Sequence, residues 1–546
     1  MKKMKRNICV FLSVLLTVAL LSGCGSSASD SSGTTAAGSE ALTENAAEVG
    51  GDSADATGTK SLTIGAGQTC TTLDPVQNYD GWYTVRFGVG QTLTRFDDDF
   101  SVSGWLVEDD YTVSEDNTVW TFTVRDDVTF SNGTKLTAEL VKASLENVFE
   151  NGTRGPEYFT YSSIEADGQT LTITTESPEP ILPNKLADPL FVIIDTSVDM
   201  TNIADEGPIA TGPFVFSSFD FTSKQVVVTK NENYWEGDVA LDEITFIYTE
   251  DQSTLTMGLQ SGDFDAVYNV SMTDVESFAA DDSYQVVSSA SGRTTHGFMN
   301  QNGLLGDEVL RQAILRYLDK ETYCESLLNG QYVAGSTLVT SGAPAYGYGE
   351  LTDPNAYDPE SAAALLDEAG YLDIDGDGYR ETPDGEAIDL RFIYYTGRPE
   401  QQLLVEATQA ELTGLGIKIT PEVHDTQTVI DMLQSGDFDL CCMSINVLST
   451  GDPESHLTSY FSTEGQNNGF GYSSEAFDTL LETLSMTSDT QERIELVKEA
   501  EQILLDDSVC IYYCYPIMNF VTKTNVSGVT STPADYYWVS AETDIE

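Results

Sequence analysis

Leu259-Gln260-Ser261-Gly262-Asp263-Phe264-Asp265 is a heptapeptide that returns unchanged at residues 433–439 of this 546-residue chain. Each copy follows a stretch with apolar residues at helical spacing and precedes an apolar run. The glycine suits a helix end, because it adopts the left-handed backbone conformation that other residues resist, and the residues after it then enter a sheet. One copy in each of two similar α/β lobes is the economical explanation of the repeat.

The rest of the chain alternates in the same way. Residues 61–65 read as a first strand, and residues 119–124 alternate with the two-residue period of a half-buried strand. Asn132-Gly133 marks a turn, and Thr137 is placed to cap a helix carrying Val141, Leu145 and Val148 on one face. Residues 307–318 carry another helical stripe, and Asp358-Pro359 opens a helix that Gly370 closes. The chain beyond residue 60 exceeds the ~250–300 residues at which a single core stops growing, so at least two lobes are expected.

At the N-terminus, Lys2, Lys3, Lys5 and Arg6 precede an apolar run over residues 8–20, shorter than the ~20 residues of a membrane span. Ser22-Gly23-Cys24 comes next and resembles a bacterial lipobox, which makes residues 1–24 a lipoprotein signal peptide and Cys24 the acylated anchor. Residues 25–60 are mostly small and polar, too poor in apolar surface to offset ordering entropy, and are expected to form a disordered tether. The implied location is the outer face of the cell membrane, lipid-anchored, or the periplasm.

The chain has 25 Lys and Arg against 88 Asp and Glu, a formal charge of −63. Such a surface repels phosphate backbones, so nucleic acid is excluded as a partner. Eight cysteines include Cys9 and Cys24, and the other six lack metal-site spacing; Cys441-Cys442 and Cys510 with Cys514 sit in apolar runs as small hydrophobes. The three histidines His296, His424 and His456 show no ligand motif. Asp373, Asp375 and Asp377, with glycine at 378, have the spacing of a calcium loop; Tyr379, Glu381 and Asp384 would complete it as a structural site. No Gly-x-Ser-x-Gly, phosphate loop, His-Glu-x-x-His or dinucleotide fingerprint occurs, so the chain reads as a non-enzyme that requires no cofactor.

An ordered set of motifs spans nearly the whole chain after the tether. It comprises Leu73-Asp74-Pro75, residues 120–134 with the adjoining Leu-Thr-Ala-Glu, Thr211-Gly-Pro-Phe, Asn231-Glu-Asn-Tyr-Trp, Leu310-Arg-Gln-Ala with Asp319-Lys-Glu, Tyr357-Asp-Pro-Glu through Glu368-Ala-Gly-Tyr, and Gly416-Ile-Lys-Ile. The set resembles the family 5 extracellular solute-binding proteins, the oligopeptide-, dipeptide- and nickel-binding lipoproteins of ABC importers. The resemblance implies an α/β, two-lobed, periplasmic-binding-protein-like fold with hinge crossovers and a subsidiary β-rich domain. Lobe one is assigned residues 61–105, 200–293 and 521–546, the subsidiary domain 106–199, and lobe two 294–520, with crossovers near 296–302 and 511–520.

The implied function is capture of a small peptide or a metal-chelate ligand between the lobes, for delivery to ABC permease subunits by a monomeric protein. A peptide receptor or chaperone lipoprotein without transport is the alternative. By position in the family, Tyr79, Trp82 and Tyr83 line the cavity; Asp188 stands where nickel-chelate binders carry an arginine. Arg293 and His296 adjoin a crossover, and Arg398 offers a fork for a carboxylate. Peptide binders hold the ligand's ammonium with an acid shortly before an acidic-Pro pair. Here the segment 445–453 has Asn446, Ser and Thr in that stretch and Asp452 in the pair itself, so peptide and chelate subclasses both stay open.

Overall fold

The structure, a computed structural model, describes residues 58–152, 154–220 and 222–546. The signal peptide with Cys24, and the tether up to residue 57, lie outside the described residues.

In lobe one, strand Ser61–Ala66 pairs in parallel with Glu243–Tyr248 and with Ala266–Tyr268, and antiparallel strands Gln225–Lys230 and Phe214–Asp220 extend the sheet. Alternate residues Leu62, Ile64, Phe246, Val226 and Val228 are fully buried, which is what the two-residue period requires of a sheet covered on one face. In lobe two, Asp389–Tyr395 pairs in parallel with Lys418–His424 and Leu440–Asn446, and the last of these is antiparallel to Arg293–Met299.

The lobes are joined by two crossings. Strand Cys510–Lys523 runs through both sheets: residues 510–514 pair with Arg293–Met299 and residues 517–523 with Tyr284–Ala290. The other crossing is the short link Ser291-Gly292 between these two partner strands. It precedes the 296–302 expected from the sequence. Residues 294–299 are buried on both faces of their strand, so no alternation marks where one sheet ends and the next begins. At Gly292 the backbone N–H donates to the carbonyl of Pro533 (3.2 Å). A Cβ there would lie 2.7 Å from the Phe100 ring, so only glycine lets the chain pass.

The subsidiary domain is a four-stranded antiparallel sheet, ordered Thr112–Val113, Val119–Thr123, Thr170–Thr175, Tyr161–Asp167, under helix Ala138–Asn151. Thr137 caps that helix, its hydroxyl oxygen accepting the N–H of Leu140 (3.3 Å). The domain's core is built on Trp120, Phe122, Val141, Leu145 and Ile173, and Val76 and Leu93 of lobe one join the same cluster.

The two heptapeptides adopt one local structure. Helices Gln252–Ser261 and Thr426–Ser435 end on Gly262 and Gly436, both left-handed, and Phe264 and Phe438 turn into the interior. The last aspartate of each copy closes the gap beside the neighbouring parallel strand. Asp265 accepts the N–H of Thr63 (2.9 Å) and Asp439 that of Arg391 (2.8 Å), while the backbone N–H groups of the two aspartates donate to the carbonyls of the same residues. The six described cysteines are buried free thiols. Burial pushes the Cys70 thiol up to about 12, consistent with inert packing groups.

Candidate functional site

Helix Asp80–Arg86 is fixed at its start by Asp80, whose carboxylate accepts the N–H and the hydroxyl of Thr71 (both 2.7 Å). It presents Trp82 to Tyr79 (ring centroids 5.1 Å) and to Tyr536 (5.7 Å). The Arg154 guanidinium lies over the Tyr79 ring at 3.8 Å and donates to the Tyr158 hydroxyl (3.1 Å) and the Asn78 carbonyl (3.0 Å). Tyr79 is 53 % exposed, whereas Trp82 is half-buried and its indole N–H has no hydrogen-bond partner. The wall is aromatic and cationic, the combination that stacks a planar or apolar ligand part.

Behind this wall, Arg86 forms a buried ion pair with Asp535 (2.6 Å), which also accepts the hydroxyl of Tyr268 (2.6 Å) and the indole N–H of Trp538 (3.0 Å). Asp188 is wholly buried. It accepts the N–H of Leu190 and the hydroxyl of Tyr158 (both 2.8 Å) and caps the short turn Pro189–Phe191, so it braces Tyr158 instead of facing solvent. Burial raises its pKa, with these donors pulling the other way.

The lobe-two groups gather beside the crossing. Arg293 donates to the Ser444 carbonyl (2.9 Å), and its pKa is lowered to about 10, first by burial and then by the like charge of Arg398. Tyr395, Glu400 and Asp535 act in the opposite sense, which places Arg293 within the electrostatic reach of both lobes. Arg398 sits at the N-cap of helix Pro399–Leu415. Close by, Glu400 is buried with one carboxylate oxygen unpartnered, as are the hydroxyls of Ser444 and Thr295. Arg398 at a helix N-terminus, with Arg293 on the adjoining strand, forms a setting that favours an anion, tempered by Glu400 in the first turn of the same helix.

The remaining expected residues are placed elsewhere. Tyr83 is buried against Phe87 and Tyr248 in the lobe-one core. His296 lies in the lobe-two core, stacked on Phe298 and 5.2 Å from His456, and burial lowers its pKa to about 3. A neutral imidazole enclosed by rings is packing material, and the strand pattern that buries it could not be read from its nearness to the crossing. Asp452 is held by Arg493 in a buried two-pronged pair (both contacts 2.9 Å), so it is not free to meet a ligand. Asn446 accepts the N–H of Leu448 (3.2 Å) and turns the chain after its strand.

The carboxylates of Asp373, Asp375 and Asp377 converge within 4.8 Å of one another, all exposed. Glu381 turns back to accept the N–H of Ile374 (2.7 Å), and among the described residues neither its carboxylate nor that of Asp384 joins the cluster.

Arg154, Tyr158, Tyr536 and Glu400 were not foreseen. Tyr536 is 348 residues from Asp188 and Arg154 is 76 from Asn78, and no local spacing signals such pairs.

Comparison with known proteins agrees with this architecture. Residues 101–468 match the family described as bacterial extracellular solute-binding proteins, family 5 (middle). The nickel-binding protein NikA of Staphylococcus aureus is 26 % identical over 424 residues, 78 % of this chain and 82 % of the relative. The glutathione-binding protein GsiB of Salmonella typhi is 27 % identical over 501 residues, 89 % of this chain and 93 % of the relative. The solved nickel ABC transporter protein of Bacillus halodurans superposes with a TM-score of 0.80 at 26 % identity, covering 89 % of this chain and all of that one. With its two sheets, double crossing and subsidiary domain, and with two thirds of its length matching, the chain belongs to the family 5 bacterial extracellular solute-binding proteins.

Proposed function

We propose that this protein is the substrate-binding component of an ABC importer and that it closes its two lobes around a small, carboxylate-bearing ligand, either a short peptide or a metal chelate. Arg398 at a helix N-cap, with Arg293 near enough to feel its charge, carries this reading, because a guanidinium at a helix N-terminus offers a fork to a carboxylate, while buried Glu400 already balances part of the charge. The ring wall of Tyr79 and Trp82 supplies the apolar half of the site. Relatives named for nickel and for glutathione support both ligand classes, since organic nickel chelators and glutathione alike carry carboxylates.

The protein acts as a monomer tethered through acylated Cys24 and hands its ligand to permease subunits. It performs no chemistry on the ligand. Calcium at Asp373, Asp375 and Asp377 would stiffen one surface loop and take no part in ligand capture.

Native mass spectrometry of gently purified protein, followed by calorimetry with nickel–histidine and with glutathione, tests the reading. Arg398→Ala is expected to weaken binding of the ligand found by about tenfold or more, the worth of a charge-assisted contact. Equal binding by the variant removes the arginine pair from the site. Cys24→Ser should abolish detergent-phase partitioning, and an unchanged mature mass would remove the anchor.

A further inference from the structure

A cavity of about 730 Å³ lies within lobe one and includes no residue of lobe two. Its volume is that of a small-molecule site. Val85, Pro213 and Val539 form an apolar floor, and Trp105 and Tyr537 form a wall, their rings 5.5 Å apart edge to face. The Tyr537 ring is fixed by its hydroxyl, which accepts the N–H of Phe96 (3.0 Å).

One cation at this wall is unspent. Arg95, stacked 5.8 Å from the Trp105 ring, has no ion-pair partner among the described residues, whereas the Trp105 indole N–H is buried away from the cavity. The mouth is acidic, with Asp97, Asp98 and Asp99 on the turn just after Arg95. A guanidinium beside a flat ring wall suits a carboxylate on a planar apolar body, and an acidic rim, to which Glu236 adds, suits an ammonium group.

The cavity is distinct from the cleft yet shares one piece of chain with it. Tyr536 touches Trp82 and Asp188 on the cleft side, and the next residue, Tyr537, faces Trp105.

We propose that this cavity is a second ligand site, selective for a small aromatic zwitterion of the amino-acid class. The carboxylate lies on Arg95, the ring packs against Trp105 and Tyr537, and the ammonium meets the acidic rim.

The probe is L-phenylalanine, followed by saturation-transfer NMR and calorimetry on the chain from Lys60 onward, with phenylacetate and phenethylamine as analogues lacking one charge each. L-phenylalanine should bind, and each analogue should bind about tenfold more weakly. Arg95→Gln should weaken L-phenylalanine by a similar factor with an unchanged melting temperature, and Arg95→Lys should restore part of the loss. Trp82→Ala, which alters the cleft, should leave this binding unchanged. Absence of binding at millimolar concentration overturns the proposal. So does binding that survives Arg95→Gln but is lost in Trp82→Ala, because the amino acid then occupies the cleft.

Discussion

Asp452 and Arg493 show how one residue's surroundings decide its role. An aspartate before a proline in this segment invites a ligand assignment, yet its carboxylate is enclosed by a guanidinium that also holds Glu454 (2.7 Å) and the carbonyls of Leu484 and Thr487. Removing one partner of such a pair leaves a buried charge uncompensated. Asp452→Ala is therefore expected to lower stability by about 3–5 kcal/mol in chemical denaturation, and a loss below about 1 kcal/mol would show the pair to be dispensable. Glu501 makes a different prediction. It is fully buried and accepts the N–H groups of Leu338 (3.1 Å) and Val339 (3.3 Å); burial pushes its carboxyl from 4.5 to about 8, against the pull of these donors. A carboxyl raised on folding binds more protons in the native state. Its contribution is thus complete below about pH 4.5 and is lost as pH rises through about 8. Glu501→Gln keeps an acceptor without the titration, so its melting temperature should fall less than the wild type's between about pH 5 and pH 8. Parallel falls would contradict this assignment.

The repeated heptapeptide shows which parts of an element are written locally. Gly262 and Gly436 have the same neighbours in sequence and the same left-handed backbone, with φ of +90° and +73°. Beyond the backbone they differ: a Cβ at Gly262 would find only the Lys523 ammonium at 3.7 Å, while one at Gly436 would meet the Gly469 carbonyl at 2.5 Å. Gly262→Ala should cost about 1–2 kcal/mol, the penalty of the left-handed conformation, and Gly436→Ala clearly more. Equal costs in matched denaturation curves would mean that the 469 loop gives way freely. Helix starts at Thr137 and Asp358 were legible in the sequence for the same reason as these glycines, because a cap is a contact between residues three apart. The division into lobes was legible through the repeat. The crossing at Ser291-Gly292 was not, because the strand after it is buried on both faces. Of the proposed cleft walls, Trp82 and Arg398 were named from position in the family, whereas Arg154 reaches Asn78 across 76 residues to cover the Tyr79 ring, and Tyr536 reaches Trp82 from the far end of the chain.

In the whole molecule, two features bear on motion between lobes: a single strand, Cys510–Lys523, threads both sheets, and a two-residue link at Ser291-Gly292 lies beside it. Lobe two also binds the segment 335–342 tightly to this region. The Thr294 hydroxyl donates to the Leu338 carbonyl (2.7 Å), the Thr340 hydroxyl to the Ser291 carbonyl (2.7 Å), and the Tyr515 hydroxyl to the Thr337 carbonyl (2.8 Å). Rotation about so narrow a connection moves the lobes as rigid bodies, and a ligand touching both walls favours the closed arrangement by its difference in affinity for the two states. Small-angle X-ray scattering of the chain from Lys60 onward, with and without a saturating ligand identified by native mass spectrometry, tests this most directly. Capture between the lobes predicts a smaller radius of gyration in the bound state. An unchanged radius at full occupancy, with Trp82→Ala binding as well as the wild type, would contradict closure and leave a rigid receptor with a surface site.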